Sequence, residues 1–361
     1  MDAVDVALVD FIEQKPTLLA TLSYPIPEEF RAQCLAVSKS GQCAIDDFCR
    51  LDVHAGELFA KAILALLKEN QVSPQHIRAI GSHGQNLRHC PNVNPPFTLQ
   101  IGDPNVISER TGITTISDFR RRDIAAGGQG APLAPAFHAT ILGSSQEDRV
   151  IVNVGGINNL TILPKDQTLG VTGFDTGPGN CLMDAWIQKH LKKSYDQDGK
   201  FARSGNFHPE LLNAFLSEPY FALPPPKSTG IELFNEAWIT KNIATLKNFE
   251  GTPQDVQATL LLLTARVIRD GILHYAPKNS AVYLCGGGTH NSELLKVLSQ
   301  ELQREVKSTE ALGVPPDWVE AMLFAWLARQ TLTGKSGNYP AVTGARHART
   351  LGGIFGYTLC N

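Results

Sequence analysis

No Cys-x-x-Cys pair occurs in the 361 residues, although there are seven cysteines, at 34, 43, 49, 90, 181, 285 and 360. An odd, scattered set of thiols speaks against a disulfide or zinc framework and predicts reduced cysteines in a cytosol. Long apolar runs are missing as well. Stretches such as Leu260 to Leu263 fall far short of the roughly 20 residues needed to span a bilayer. The first residues are acidic and open no long apolar run, so there is no signal-peptide pattern. Nor is there an excess of one charge: 32 Lys and Arg face 35 Asp and Glu, a net −3. That balance predicts neither a nucleic-acid binder nor a membrane-surface binder. The basic run Arg120-Arg121-Arg122 is too short to change it. Two nucleotide motifs are also absent. No G-x-x-x-x-G-K-[ST] occurs, and no G-x-G-x-x-G follows an early strand. The first absence removes a P-loop enzyme; the second leaves a Rossmann dehydrogenase without support.

What is present describes a globular chain with material for two cores: 43% hydrophobic and 19% charged residues. The run 4–11 (VDVALVDF) reads as a strand, as does 113–119 (ITTISDF). Residues 56–70 carry apolar side chains at helical spacing. Over 73–85, Ser73 and Pro74 read as a cap and a first helical position, followed by a short apolar run into glycine. An apolar strand, a Gly-Gly break and a second strand over 148–163 predict a hairpin. Residues 181–191 predict a helix; 252–276, opened by Thr252, Pro253 and Asp255, predict a long capped and buried one. A buried strand into three glycines follows at 280–291, then an apolar helix at 317–332. No low-complexity linker divides the chain. The natural boundary falls near 130–150, after Gly127, Gly128, Gly130 and Pro132.

Two stretches about 130 residues apart look alike: IVNVGGINN and VYLCGGGTHN. Each is an apolar strand ending in glycines and then small polar residues. Such loops let a backbone approach a ligand and turn N–H groups toward an anion. With the glycine turn of GFDTGPGN (173–180) leading into a helix, they suit a polyphosphate. Gly287, in the second loop, is expected to need a positive φ. Within 173–180, Asp175 has two readings that the local sequence leaves open. It is either a turn aspartate bonding the backbone at 177–178, or a general base held by a stiff loop. His83 and His89 do not have zinc-helix spacing. Arg120–Arg122 reads either as a solvated loop or as a receiver of a substrate carboxylate or phosphate. Glu320 sits on an apolar helix; Lys335, Arg346 and Arg349 read as surface charge.

The stretches AIGSHGQNLRH, QIGDPNVISERTGITTISDFRRRDIAAGGQGAPLAPAFH, NVGGINNLT, GFDTGPGN, KSTGIELFN and CGGGTHN together resemble the 1,6-anhydro-N-acetylmuramic acid kinases. The resemblance runs along nearly the whole chain, and the block from Asp118 to His138 is its most specific part. It implies an α/β protein of the actin-like ATPase class. Two ribonuclease-H-like domains, each a mixed five-stranded sheet with helices, would enclose ATP. The implied division is 1–138 with 335–361 packing back on it, against 139–334. The implied reaction is ATP-dependent opening of the 1,6-anhydro ring with phosphorylation of O6, giving N-acetylmuramate 6-phosphate in peptidoglycan recycling. By the same resemblance Asp175 activates the attacking water, which agrees with the carboxylate that glycosidic cleavage requires. Phosphoryl transfer asks mainly for positioning and charge neutralisation, which amide loops and Mg²⁺ supply. Gly155, Gly156 and Asn158 would form a phosphate hairpin, with Gly177 and Gly179 beside the nucleotide. Gly286, Gly287 and Gly288 would form an adenosine loop. His83, Gln85, Arg121 and Glu320 would meet the sugar with Asp175, the arginine facing its lactyl carboxylate. Mg²⁺ would come with ATP, without dedicated metal ligands. A homodimer in the bacterial cytoplasm, with no nucleic-acid or membrane partner, completes the implied picture.

One departure stands at the start. The family opens with a strand and G-T-S-[LM]-D-G-x-D, the first phosphate loop, whereas this sequence begins MDAVD. Met1, Asp2 and Asp5 match the fourth, fifth and eighth positions, and Ala3 stands where the motif has Gly. The expectation is that a start upstream supplies the missing strand and Gly-Thr-Ser. The alternative is a non-catalytic relative that binds sugar or nucleotide.

Overall fold

The computed structural model describes residues 3–12 and 15–357. Its strands, in chain order, are β1 (Ala3–Ile12), β2 (Lys15–Pro25), β3 (Ile80–Gly81), β4 (Gln85–Cys90), β5 (Phe97–Ile101), β6 (Thr115–Ser117), β7 (Arg149–Val154), β8 (Ile157–Leu163), β9 (Thr172–Pro178), β10 (Ala281–Cys285), β11 (Val306–Ser308) and β12 (Gly353–Phe355). The chain divides into two compact units, Met1–Ile141 with Glu320–Asn361, and Leu142–Val319. Among the described residues no helix is long and apolar enough to cross a membrane.

The second unit carries the mixed five-stranded sheet expected from the family resemblance. Its order is β11-β10-β7-β8-β9. β7, β8 and β9 form an antiparallel meander, and β10 runs parallel to both β7 and β11. The apolar residues of β7 explain its central place: Val150, Val152 and Val154 are fully buried. Against this sheet lies the helix Pro253–Tyr275. Its start is a complete capping box, in which Thr252 and Asp255 satisfy each other's backbone N–H. Leu260, Leu263 and Ile268 of that helix join Leu160, Phe174 and Leu284 in one core.

The first unit holds less sheet. The antiparallel hairpin β1–β2, the hairpin β4–β5 and a three-stranded sheet β12-β6-β3 remain separate among the described residues. This differs from the single five-stranded sheet expected here. β3 lasts only two residues before the chain turns off, and its one partner among the described residues is β6. Among the described residues β1 has its ladder with β2 alone. The helix Ile45–Glu69 buries Leu51, Leu58 and Leu66, and packs with Phe30 and Leu87. Residues 74–76 form only a single 3₁₀ turn, without a side-chain cap from Ser73, where a helix start was expected. Ile77 is already extended there, leading the chain toward β3.

The return to the first unit falls at 319/320, where the sequence reading set it at 334/335. Gly81 shows why the helix Val319–Leu332 sits with the first unit. A Cβ at Gly81 would overlap the Phe324 carbonyl, so only glycine lets β3 and this helix touch backbone to backbone. Phe324 also stacks on His83 at 4.5 Å and packs on Phe119 at 5.5 Å.

Candidate functional site

In the second unit Asp175 lies inside β9, not in a turn. β8 and β9 lose register here: Asn158 pairs with Gly177 and Asn159 with Asp175, which leaves Thr176 as an extra residue. β9 is an edge strand of its sheet. At Asp175 the segment 220–229 covers that edge. The Asp175 N–H donates to the Lys227 carbonyl at 3.1 Å, and the Tyr220 hydroxyl donates to the Asp175 carbonyl at 2.8 Å. The Thr229 N–H donates to Oδ2 of Asp175 at 3.1 Å. The carboxylate therefore does not bond the backbone of its own turn, as the turn-aspartate reading required. Burial pushes its pKa up to about 6; the Thr229 N–H opposes the rise and the nearby Glu232 carboxylate adds to it.

The glycines around Asp175 have unequal roles. At Gly177 (φ +149°) a Cβ would come within 2.7 Å of Phe221, so the space beside it belongs to that ring. A Cβ at Gly179 would overlap the Gly155 carbonyl. The N–H groups of Gly179 and Cys181 donate to the Gly156 carbonyl at 2.9 and 3.1 Å, and that of Asn180 to Gly155 at 2.8 Å. The chain entering the helix Cys181–Leu191 thus clasps the hairpin tip, which occupies the N–H groups of Gly179, Asn180 and Cys181. At the tip itself, among the described residues, the N–H groups of Gly155 and Gly156 donate to no protein group. Asn158 is fully buried and donates to the Pro178 carbonyl at 2.8 Å; its Oδ1 has no partner among the described residues.

After β10, Gly286 takes φ +80° and its N–H donates to the Pro316 carbonyl at 3.0 Å. Gly288 is packed against Val154, so a Cβ there would overlap that side chain. Gly287 differs from the expectation. It begins a 3₁₀ turn without a positive φ, and a Cβ on it meets nothing within 4 Å. The strained position is Gly286, the packed one Gly288 and the open one Gly287.

In the first unit the guanidinium of Arg120 donates to Nε2 of His83 from Nε at 3.0 Å and Nη2 at 2.9 Å, and from Nη1 to the Gly130 carbonyl at 2.9 Å. Arginine has only donors, so His83 Nε2 must be unprotonated and its proton sits on Nδ1. Burial and the Arg120 charge together push the His83 pKa down to about 3. Glu320 faces solvent at the start of its helix. Its pKa is nevertheless raised, by desolvation first, with Arg120 pulling it down and Asp5 adding repulsion. Asp5 itself, in β1, accepts from the Ser23 hydroxyl at 2.6 Å. Gln85 opens β4 and donates to the Asn86 carbonyl at 3.2 Å. Arg121 is exposed and lies 3.6 Å from Asp118. Met1 and Asp2 lie outside the described residues.

The sequence reading missed two groups. Arg120, not Arg121, makes the polar links to His83; three successive arginines give no signal of which one turns inward. Lys227 and Thr229 escaped notice because they reach Asp175 through their main-chain groups, and Tyr220 because its hydroxyl meets only the Asp175 carbonyl. The only signal was that KSTG stood inside a resembling stretch. Among the described residues no group of three or more His, Cys, Asp or Glu side chains is placed to hold a metal ion.

A family model described as anhydro-N-acetylmuramic acid kinase matches residues 1–357. Curated proteins of that name are similar over almost the whole chain. One from Coxiella burnetii (strain Dugway 5J108-111) is 50% identical over 358 residues, 98% of this chain and 94% of its own. One from Saccharophagus degradans is 47% identical, covering 98% and 95%. One from Xanthomonas campestris pv. campestris is 48% identical, covering 98% and 94%.

Proposed function

The chain belongs to the anhydro-N-acetylmuramic acid kinase family, and from that premise we propose that it opens the 1,6-anhydro ring with water while phosphorylating O6. Asp175 takes a proton from the attacking water as its oxygen bonds C1. The C1–O6 bond breaks, and O6 attacks the γ-phosphorus of ATP as the bond to the β-phosphate oxygen breaks. The products are N-acetylmuramate 6-phosphate and ADP. The observation that carries this reading is the hold on Asp175: three hydrogen bonds from one segment fix it, and its pKa near 6 makes it a stronger base than an exposed carboxylate.

The open amides of Gly155 and Gly156 suit phosphate oxygens, with Asn158 holding the hairpin to β9. Gly177 and Gly179 would act by letting Phe221 and the hairpin tip close in. The open face of Gly287, between Gly286 and Gly288, suits adenosine. Mg²⁺, arriving with ATP, would neutralise charge on the transferring phosphoryl group. His83, Gln85, Arg121 and Glu320 are proposed for the sugar, with Arg120 fixing the His83 tautomer so that Nδ1–H is the donor. Peptidoglycan recycling in the bacterial cytoplasm, by a homodimer, follows from the same reading; light scattering at twice the chain mass would support the dimer.

The test joins two measurements. Turnover in H₂¹⁸O, quenched before the hemiacetal exchanges, places the label on C1 of the phosphorylated product. Asp175→Asn binds ATP as the parent does and loses at least about a hundredfold in kcat. Wild-type turnover by this variant, or label absent from C1, overturns the reading.

A further inference from the structure

The motif KSTGIELFN contains a lysine, and in a kinase a lysine beside the site is usually given to phosphate. Here its ammonium is used otherwise. Lys227 Nζ donates to the carbonyls of Phe221 at 3.2 Å and Tyr220 at 3.4 Å, and lies 4.9 Å from the centre of the Tyr220 ring. Those carbonyls belong to the 3₁₀ turn Pro219–Ala222, where that of Tyr220 also accepts from the Leu223 N–H at 3.2 Å. The same residue gives its own carbonyl to the Asp175 N–H. Two residues on, Thr229 supplies the N–H that bonds the carboxylate. Tyr220, the residue Lys227 closes upon, bonds the Asp175 carbonyl. One ammonium therefore closes a loop that touches the N–H, the C=O and the carboxylate of a single residue on an edge strand.

We propose that Lys227 is a positioning residue: its ammonium clamps residues 220–229 into a strap that holds Asp175 at the edge of β9, and it is not a phosphate ligand. The proposal rests on the reading of Asp175 as the base. Phe221 strengthens the strap by filling the space that Gly177 leaves open beside Asp175. The charged and titratable groups facing Asp175 are few. Glu232 and Tyr220 come from the strap side, with the Lys227 ammonium over the Tyr220 ring, while the helix Pro253–Tyr275 brings Val267 and Gly271 to β9. Glu232 folds back over Gly230, one residue beyond Thr229, where a Cβ would collide with its carboxylate.

Loosening the strap removes three effects on Asp175. Less burial and less repulsion from Glu232 lower its pKa; loss of the Thr229 N–H raises it. Burial is the largest of them, so the net movement is downward. The test uses Lys227→Met and Lys227→Arg in the full chain, with the Asp175 carboxyl followed by ¹³C NMR across pH. Asp175→Asn assigns the resonance. For Lys227→Met, kcat falls ten- to a hundredfold, as for a misplaced reacting group, and KM for ATP changes less than twofold. The Asp175 titration moves down from about 6 toward the ordinary carboxylate range. Lys227→Arg restores most of both. Tyr220→Phe, which deletes one hydroxyl bond, lowers the titration in the same direction by less, and serves if Lys227→Met does not fold. A raised KM for ATP with kcat unchanged makes Lys227 a phosphate ligand and overturns the proposal. So does a lower melting temperature with the Asp175 titration unmoved. Because the titration is read without turnover, failure of the strap is separable from failure of Asp175 as base, which Asp175→Asn kinetics decide.

Discussion

Asp175 shows how one carboxylate can be tuned by its surroundings in two measurable ways. In the proposed role of base it must be ionised, so kcat/KM should rise with pH through about 6 and level off above it. For stability the sign is opposite. The folded-state pKa lies above the unfolded value of about 4, so the protonated form suits the fold. Its contribution is fully present below the unfolded value and is lost as pH rises through about 6. Asp175→Asn should therefore melt above the parent at pH 8 and show no such advantage at pH 4. Thermal melts at the two pH values check this, and a higher melting point confined to pH 4 would contradict the sign. The glycine loop after β10 gives a second residue-scale prediction. Gly287→Ala meets open space, so the melting temperature should hold while nucleotide affinity falls. Gly288→Ala drives a methyl into Val154 and should cost about 1–3 kcal/mol of stability. Urea melts and calorimetric titration with an ATP analogue separate the two. Equal stability losses would mean that the loop is packed on both sides.

At the scale of elements, the helix Pro253–Tyr275 is held at its start by Thr252 and Asp255. Thr252→Ala removes the hydroxyl that accepts the Asp255 N–H, and should cost about 1 kcal/mol in urea denaturation. This helix was legible in the sequence because cap, proline and apolar period lie within a few residues of one another. The strand at 4–11, the hairpin at 148–163 and the helix at 181–191 were legible from apolar patterning within their own residues. Asp175 was harder. The Gly-Pro-Gly after it signals a turn, yet a five-stranded sheet draws these residues into its edge strand, and pairing with β8 outweighs local preference. Gly177 and Gly179 proclaimed small size without saying which neighbour needed the room. The side chain of Phe221 and the carbonyl of Gly155 come from distant stretches, which no local pattern reveals. Arg120 is the same case. Arg121 to Ala125 form a helical turn, so the residue before it turns toward His83 while its neighbour Arg121 stays exposed.

The whole molecule is built from one continuous unit, 142–319, inserted between the two segments of the other. Asp123 helps join those two segments. Fully buried, it accepts from the Gly130 N–H at 2.8 Å, the Thr343 hydroxyl at 2.8 Å and the Asn338 amide at 2.5 Å. Asp123→Ala strands three donors in a dry site and should cost about 3 kcal/mol. Differential scanning calorimetry should show the loss in the transition of the first unit, with the second unit's melting unaltered if the two melt separately. A single unchanged transition would contradict the role given to Asp123. The same arrangement has a consequence for synthesis. A ribosome synthesises all of residues 142–319 before it makes Asn338 and Thr343, so Asp123 meets these two partners only near the end of synthesis. At common translation speeds Asp123 waits tens of seconds for its partners. During that interval the nascent first unit holds an unmatched carboxylate and apolar faces that the residues after 319 will cover, which makes it the part of the chain most in need of a chaperone.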